Sequence, residues 1–86
     1  MITVVYRKTF VRMYQRLPAD LQLEVKEKIA MFKENPRTPS LRTHKLTGKM
    51  KGCQSFSVNY KYRIVFEEDV KGVYALLAVG DHDVYK

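Results

Sequence analysis

Two apolar runs near the C-terminus constrain the fold of this chain more than any other feature. Residues 60–67 read YKYRIVFE and residues 73–79 read VYALLAV, with the polar segment 68–72 between them. Both runs are rich in β-branched and aromatic residues, which favour strands. The pattern therefore predicts an antiparallel β-hairpin joined by a loop of about five residues.

A charged residue, Arg63, lies inside the first apolar run. Because side chains alternate between the two faces of a strand, Tyr62, Ile64 and Phe66 share one face. Arg63 then points to the opposite face, which is open if helices cover the first. An arginine there needs a partner. The sequence allows two interpretations: an ion pair with Glu67 on the same face, or a site for an anionic substrate.

The first half of the chain predicts a short strand followed by two helices. Residues 2–6 are mostly β-branched or aromatic, which is typical of a strand. Thr9 is the expected cap of a first helix, which ends before Pro18, and a second helix runs on to Asn35. Both helices carry an apolar stripe at helical spacing, formed by Phe10, Met13, Tyr14 and Leu17 in the first and by Leu21, Val25, Ile29 and Phe32 in the second.

One more strand is expected before the hairpin, because Phe56, Val58 and Tyr60 alternate with polar residues. The predicted element order is therefore β-α-α-β-β-β. Helices grouped before strands indicate an α+β fold, in which two N-terminal helices pack on an antiparallel sheet of three to four strands. A chain of 86 residues allows one domain, spanning 1–86.

Charge and cysteine content narrow the class of partner and the compartment. Lys and Arg number 16 against 9 acidic residues, a net charge of +7, which favours nucleic acid or an acidic protein as partner, although a basic surface can serve solubility alone. No run approaches the roughly 18 apolar residues of a membrane span. The lone Cys53 excludes an internal disulfide and offers no metal-ligand spacing. We expect a cytoplasmic protein without membrane contact, metal or cofactor.

A small set of residues could support cleavage of RNA by its own 2′-hydroxyl. That reaction needs a proton acceptor, a proton donor and cations that stabilise the phosphorane. His44 and His82 are the two histidines of the chain, and Arg63 supplies a permanent cation. Tyr85 could stack on a base or simply anchor the C-terminus. A histidine taken alone is more often an ordinary surface or packing residue than a catalytic one. The basic segment 42–51 should lie near the open face.

The chain resembles the RelE/ParE superfamily of toxins from type II toxin–antitoxin systems, especially the RelE and YafQ-like mRNA interferases. The resemblance covers nearly all 86 residues and lies in the helix junction 17–18 and the segments 44–48, 62–66 and 79–85. It implies a microbial-ribonuclease-type fold and a ribosome-dependent, metal-independent endoribonuclease that cuts messenger RNA and inhibits translation.

The resemblance also implies roles for individual residues. His82 is the expected general acid, His44 the base or an RNA-orienting group, and Arg63 the clamp on the scissile phosphate; the acid and base roles could be exchanged. Tyr85 approximates the aromatic residue of the YafQ-like branch. The expected contacts to the RNA backbone are Lys45, Lys49, Lys51, Arg42 and Lys61. Gln54 and Phe56 stand where RelE has two lysines, which argues against a lysine-based mechanism.

The implied partners are a cognate antitoxin, the ribosome and its messenger RNA, and operator DNA only through the antitoxin complex. Two other functions share the scaffold, because a fold does not fix a function. One is a ParE-like poison of DNA gyrase without nuclease chemistry. The other is an inactive toxin that retains only antitoxin binding.

Overall fold

A computed structural model describes residues 2–81 and confirms the predicted α+β class. Two helices are followed by four of the five strands, and two short 3-10 turns, Pro39–Leu41 and Gly48–Met50, lie in the intervening loops. The elements are β1 (Thr3–Tyr6), α1 (Lys8–Gln15), α2 (Ala19–Glu34), β2 (His44–Lys45), β3 (Gln54–Ser57), β4 (Arg63–Val70) and β5 (Val73–Gly80). None of the helices in this part of the chain is long and apolar enough to cross a membrane.

The strands form one sheet in the order β1-β5-β4-β3-β2. Strands β2 to β5 are antiparallel neighbours, whereas β1 pairs in parallel with β5. The sheet is thus mixed and has five strands, slightly more than the three to four predicted. The extra strand is β2, which is only two residues long and so carries no alternation that a sequence pattern could reveal.

The hairpin loop is shorter than predicted. Strands β4 and β5 continue until Val70 pairs with Val73, so that only two residues form the turn. Gly72 has a φ of 83°, which glycine adopts without strain and which short hairpin turns require. The polar segment 68–72 is therefore mostly strand, and the Glu68 carboxylate accepts a hydrogen bond of 3.0 Å from the Gly72 N–H.

The helix junction falls where Pro18 predicts, between α1 and α2. The start of α1 differs from prediction, since Lys8 is already helical and Thr9 lies within the first turn instead of capping it. The helix starts at Lys8 because the residue before it still belongs to the sheet, where the Arg7 N–H donates a hydrogen bond of 3.0 Å to the Leu76 carbonyl oxygen. The chain passes from strand to helix at that residue.

An aromatic cluster joins α2 to the sheet. Phe32 is fully buried, stacks on Phe56 with ring centroids 4.4 Å apart, and meets Phe66 edge-on at 4.8 Å. Leu41, from the first 3-10 turn, completes the same core. Because Phe56 and Phe66 point toward the helices, alternation directs their neighbours on β3 and β4 to the opposite face.

The strand predicted to run through Tyr60 ends earlier, at Ser57. The Asn59 side-chain oxygen accepts hydrogen bonds from the backbone N–H groups of Lys61 (2.9 Å) and Tyr62 (2.8 Å). This local bonding turns the chain, as asparagine commonly does. Tyr60 consequently lies in a turn with 97% of its surface exposed, not on the buried face of a strand.

Candidate active site

Arg63 is the first residue of β4 and is half-buried on the sheet face opposite the helices. Its Nε donates to the Ser55 hydroxyl at 3.2 Å, and its Nη1 donates to the Ser57 hydroxyl at 3.0 Å. Both serines belong to the neighbouring strand β3 and are buried, with 0% and 8% of their surface exposed. One edge of the guanidinium is therefore fixed in orientation by two buried hydroxyl groups.

The other edge of the guanidinium faces the sheet edge at β2. Its Nη2 lies 3.2 Å from the Arg42 carbonyl oxygen and 3.0 Å from Nδ1 of His44. Within residues 2–81 the partners of Arg63 are thus two hydroxyls, a carbonyl and an imidazole, none of which carries a formal negative charge. The alternative ion pair with Glu67 does not form, because that carboxylate instead lies 3.9 Å from Arg7.

Arg42 holds an unusual backbone conformation, with φ 50° and ψ 47°. It is the one non-glycine residue with positive φ among residues 2–81, and such a conformation strains any residue with a β-carbon. It follows the 3-10 turn Pro39–Leu41 and directs the Arg42 carbonyl at Arg63. The hydrogen bond to the guanidinium offsets part of this strain.

Two groups lie within hydrogen-bond distance of Nδ1 of His44, and each requires a different tautomer of the ring. With the proton on Nε2, Nδ1 accepts a hydrogen bond from Arg63. The Arg42 carbonyl lies 3.2 Å from the same Nδ1 and can be its partner only if that atom carries a proton. The two contacts exclude each other, which gives the exposed imidazole two alternative hydrogen-bonding states.

Comparison with solved structures finds proteins with the fold of this chain, whereas comparison of sequences does not. No protein-family model matches this sequence, and no curated protein matches it significantly. Among solved structures, YafQ from E. coli strain BL21(DE3) superposes with a TM-score of 0.79 at 13% identity, covering 96% of each chain. A YoeB/ParE toxin from Agrobacterium tumefaciens gives 0.75 at 19% identity, covering 94% of this chain and 99% of that one.

A toxin–antitoxin complex matches as well: the RelBE2 complex from Mycobacterium tuberculosis gives a TM-score of 0.71 at 23% identity, covering 94% of this chain and 98% of its own. The chain has the RelE/ParE toxin fold. The resemblance seen in the sequence is thereby confirmed at the level of three-dimensional structure, across nearly the whole chain.

In this RelE/ParE fold the predicted basic residues separate into groups. Arg42 lies beside Arg63 and His44, as described. Lys45 and Lys51 line a different hollow, of about 540 Å³, and Lys49 is exposed on the same loop. Lys61 is exposed in the turn before β4, with its ammonium 5.7 Å from the centre of the Tyr62 ring.

Two predicted site residues, His82 and Tyr85, lie outside the described residues. Strand β5 ends at Gly80, which pairs with Arg63 across the sheet. The expectation that His82 joins Arg63 and His44 remains a prediction.

The sequence did not identify the serine partners of Arg63. Ser55 and Ser57 were expected only as polar residues alternating on a strand, with no assigned role. The signal that could have identified them is that both lie on the same face of a strand predicted to precede the strand of Arg63. The serines become partners of Arg63 only in one pairing register of β3 with β4, and that register depends on where the turn at Asn59 ends.

Cys53 is a free, half-buried cysteine that immediately precedes β3. Burial, followed by the negative charge of Glu67, raises the pKa of the Cys53 thiol above its ordinary value, which disfavours the nucleophilic thiolate. Residues 2–81 contain no cluster of three or more histidine, cysteine or acidic side chains arranged to hold a metal ion.

Proposed function

We propose that this chain is the toxin of a toxin–antitoxin pair and cleaves messenger RNA on the ribosome without a metal ion. The observation that carries the proposal is the 3.0 Å contact between Arg63 and His44 on the face that the helices leave open. A permanent cation in contact with an imidazole is a combination suited to phosphoryl chemistry. The RelE/ParE fold and the net charge of +7 support it.

In the proposed reaction the RNA 2′-hydroxyl attacks the adjacent phosphorus. Arg63 binds a non-bridging oxygen of that phosphate and stabilises the added charge of the phosphorane. One group removes the 2′-hydroxyl proton, and another protonates the 5′-oxygen as its bond to phosphorus breaks. The products are a 2′,3′-cyclic phosphate and a 5′-hydroxyl. The enzyme is left with its general base protonated and its general acid deprotonated.

The geometry suggests how His44 would enter this reaction. In the tautomer protonated on Nε2, Nδ1 is the basic atom of the ring and accepts a hydrogen bond from Arg63 in the free protein. A charged phosphate oxygen is a stronger acceptor than a neutral ring nitrogen, so a bound phosphate would take the Nη2 hydrogen and free Nδ1. His44 would then accept the 2′-hydroxyl proton at Nδ1 and keep it, and the new N–H would donate a hydrogen bond to the Arg42 carbonyl oxygen, which lies 3.2 Å away.

The remaining predicted residues complete the proposal. His82 is the proposed general acid, and Tyr85 the proposed stacking partner of a base. Contacts to the RNA backbone are assigned to the five basic residues Arg42, Lys45, Lys49, Lys51 and Lys61. All five are exposed and therefore accessible to a phosphate.

The proposed partners are a cognate antitoxin, the ribosome with its messenger RNA, and operator DNA bound only through the antitoxin complex, all in the cytoplasm. Tyr6 and Val11 are exposed apolar side chains beside a groove of about 240 Å³ between β1 and the helices. Exposed apolar surface of this kind is typical of protein contacts, which supports a protein partner. The solved RelBE2 complex shows that a relative by fold binds an antitoxin.

Controlled induction in cells tests the proposal against a ParE-like gyrase poison. A ribosome-dependent nuclease stops protein synthesis first, and its cuts, mapped as new 5′ ends of messages, follow the three-nucleotide reading frame. A gyrase poison first breaks DNA and induces the SOS response. The Arg63→Ala, His82→Ala double variant should produce neither cuts nor growth arrest, and arrest by that variant would contradict the proposed active site.

A further inference from the structure

A second feature, a cationic hollow, adjoins Arg63. It has a volume of about 290 Å³ and lies between α2, the first 3-10 turn and the turn that precedes β4. Lys28, Arg42 and Arg63 all line it, and none of its described lining residues is acidic. The carboxylate of Glu24 lies next to the hollow, where it accepts hydrogen bonds of 3.4 Å from the lining residue Asn59. Three cations against this one carboxylate favour an anionic ligand.

Tyr60 also lines this hollow and brings an aromatic ring to its rim. Its side chain is 97% exposed, although tyrosine usually covers part of its ring against the protein. The turn that carries it is well fixed: besides the two bonds to the Asn59 side chain, the Val58 N–H donates to the Tyr62 carbonyl at 2.9 Å. The backbone of Tyr60 is thus held in place while its ring is left open to solvent.

We infer that this hollow binds the nucleotide that adjoins the phosphate held by Arg63, with its base stacked on Tyr60 and its other phosphate contacting Lys28. The inference rests on the proposed function, since it assumes that the ligand is single-stranded RNA. An exposed aromatic ring beside cations is the combination by which proteins hold unpaired nucleotides.

The chemistry of the hollow predicts what this subsite does and does not recognise. Every base offers a π-face, so stacking on Tyr60 discriminates little between sequences. The lysine ammonium is a point charge that neutralises a phosphate without reading a base. The subsite should therefore position the strand for cleavage and leave sequence preference to other contacts.

Binding of short RNA to the purified chain tests this assignment. The RNA carries 2′-O-methyl groups, which remove the attacking hydroxyl and prevent cleavage, and a second oligonucleotide of equal length lacks all bases. Fluorescence anisotropy should show that Tyr60→Leu weakens binding of the base-containing RNA on the order of 10-fold and leaves the abasic strand unaffected. Tyr60→Phe, which keeps the ring, should bind like the wild type.

The phosphate contact has a matched control on the same helix. Lys28→Ala should weaken binding of both oligonucleotides and reduce the salt dependence by about one phosphate contact. Lys26 lies two residues away, about 200° around the helix axis, and lines the apolar groove near Tyr6 instead. Lys26→Ala should therefore change RNA binding less than Lys28→Ala does.

The results separate failure of this inference from failure of the proposed function. Wild-type affinity in Tyr60→Leu, an equal loss with the abasic strand, or equal losses in the two lysine variants would overturn the inference, even if the protein cleaves messages. Conversely, Tyr60-dependent RNA binding by a chain that cuts no message would sustain the subsite and refute the nuclease. Melting temperatures of the variants show whether any loss reflects unfolding.

Discussion

The guanidinium of Arg63 and the imidazole of His44 are in contact, with Nη2 of the first 3.0 Å from Nδ1 of the second. The two residues lie 19 positions apart and on strands that are not neighbours, since β3 separates β2 from β4. Arg63 reaches across β3 through the hydroxyls of Ser55 and Ser57. Three strands thus contribute to one polar cluster, and its integrity can be tested.

The buried serines predict a specific stability pattern. Arg63→Met removes the donor to Ser55 and Ser57 and leaves two buried hydroxyls without their partner, so the free energy of unfolding should fall by about 1–3 kcal/mol. Adding Ser55→Ala and Ser57→Ala to that variant removes the unpaired groups and should recover much of the loss. Urea unfolding measures both, and a triple variant that is less stable than Arg63→Met would contradict this account.

Substitution of His44 separates proton transfer from orientation. In His44→Asn an amide oxygen can replace Nδ1 as the acceptor for Arg63, but the amide cannot take up a proton. We expect RNA affinity and stability close to those of the wild type and a cleavage rate lower by about 10²–10⁴-fold. If the asparagine variant cleaves at the wild-type rate, His44 only orients the RNA.

The left-handed conformation of Arg42 predicts an unusual tolerance of glycine. Arg42→Gly keeps the carbonyl that contacts Arg63 and removes the β-carbon that strains the backbone. Its stability should match or exceed that of the wild type, whereas Arg42→Val should lose about 1–2 kcal/mol. The comparison uses thermal or urea unfolding, and a glycine variant less stable than the valine variant would show that φ near 50° is not retained.

Cys53 provides a test through pH. Burial and the negative charge of Glu67 raise the pKa of its thiol. The thiol therefore ionises at a higher pH in the folded protein than in the unfolded chain. Stability from this group is therefore fully present below the pKa of the unfolded-state thiol and is lost as pH rises through the higher pKa of the folded-state thiol. Alkylation should be slow near neutrality and faster in Glu67→Gln, and equal rates in both proteins would exclude the proposed influence of Glu67.

Local pattern was sufficient to predict the helices, the hairpin and the face on which Arg63 lies. Each follows from spacing within one segment, such as the alternation around Arg63 or the break before Pro18. The parallel pairing of β1 with β5 was not predictable in this way, since it joins the two ends of the chain. Strand β3 ends early because the Asn59 side-chain oxygen accepts hydrogen bonds from nearby backbone N–H groups, which competes with strand formation. The alternation of apolar and polar residues gives no sign of such a bond.

The candidate site was predictable in its residue types more than in its contacts. The sequence identified His44 and Arg63 as candidates, but their contact depends on the two-residue strand β2 and on the left-handed Arg42 between α2 and that strand. Neither has a sequence signature, because arginine rarely adopts that conformation. The assignment of proton-transfer roles therefore depends on measurement.

Cleavage of messenger RNA in purified, programmed ribosomes tests the central claim most directly. The wild-type chain should cut the message and leave a 5′-hydroxyl and a 2′,3′-cyclic phosphate. Arg63→Ala should lower the rate by about 10²-fold or more. Lys26 lines the groove near Tyr6 and does not belong to this cluster, so Lys26→Ala should not lower the rate. Absence of cleavage by the wild type, or an undiminished rate in Arg63→Ala, would contradict the claim that Arg63 and His44 form a ribonuclease active site.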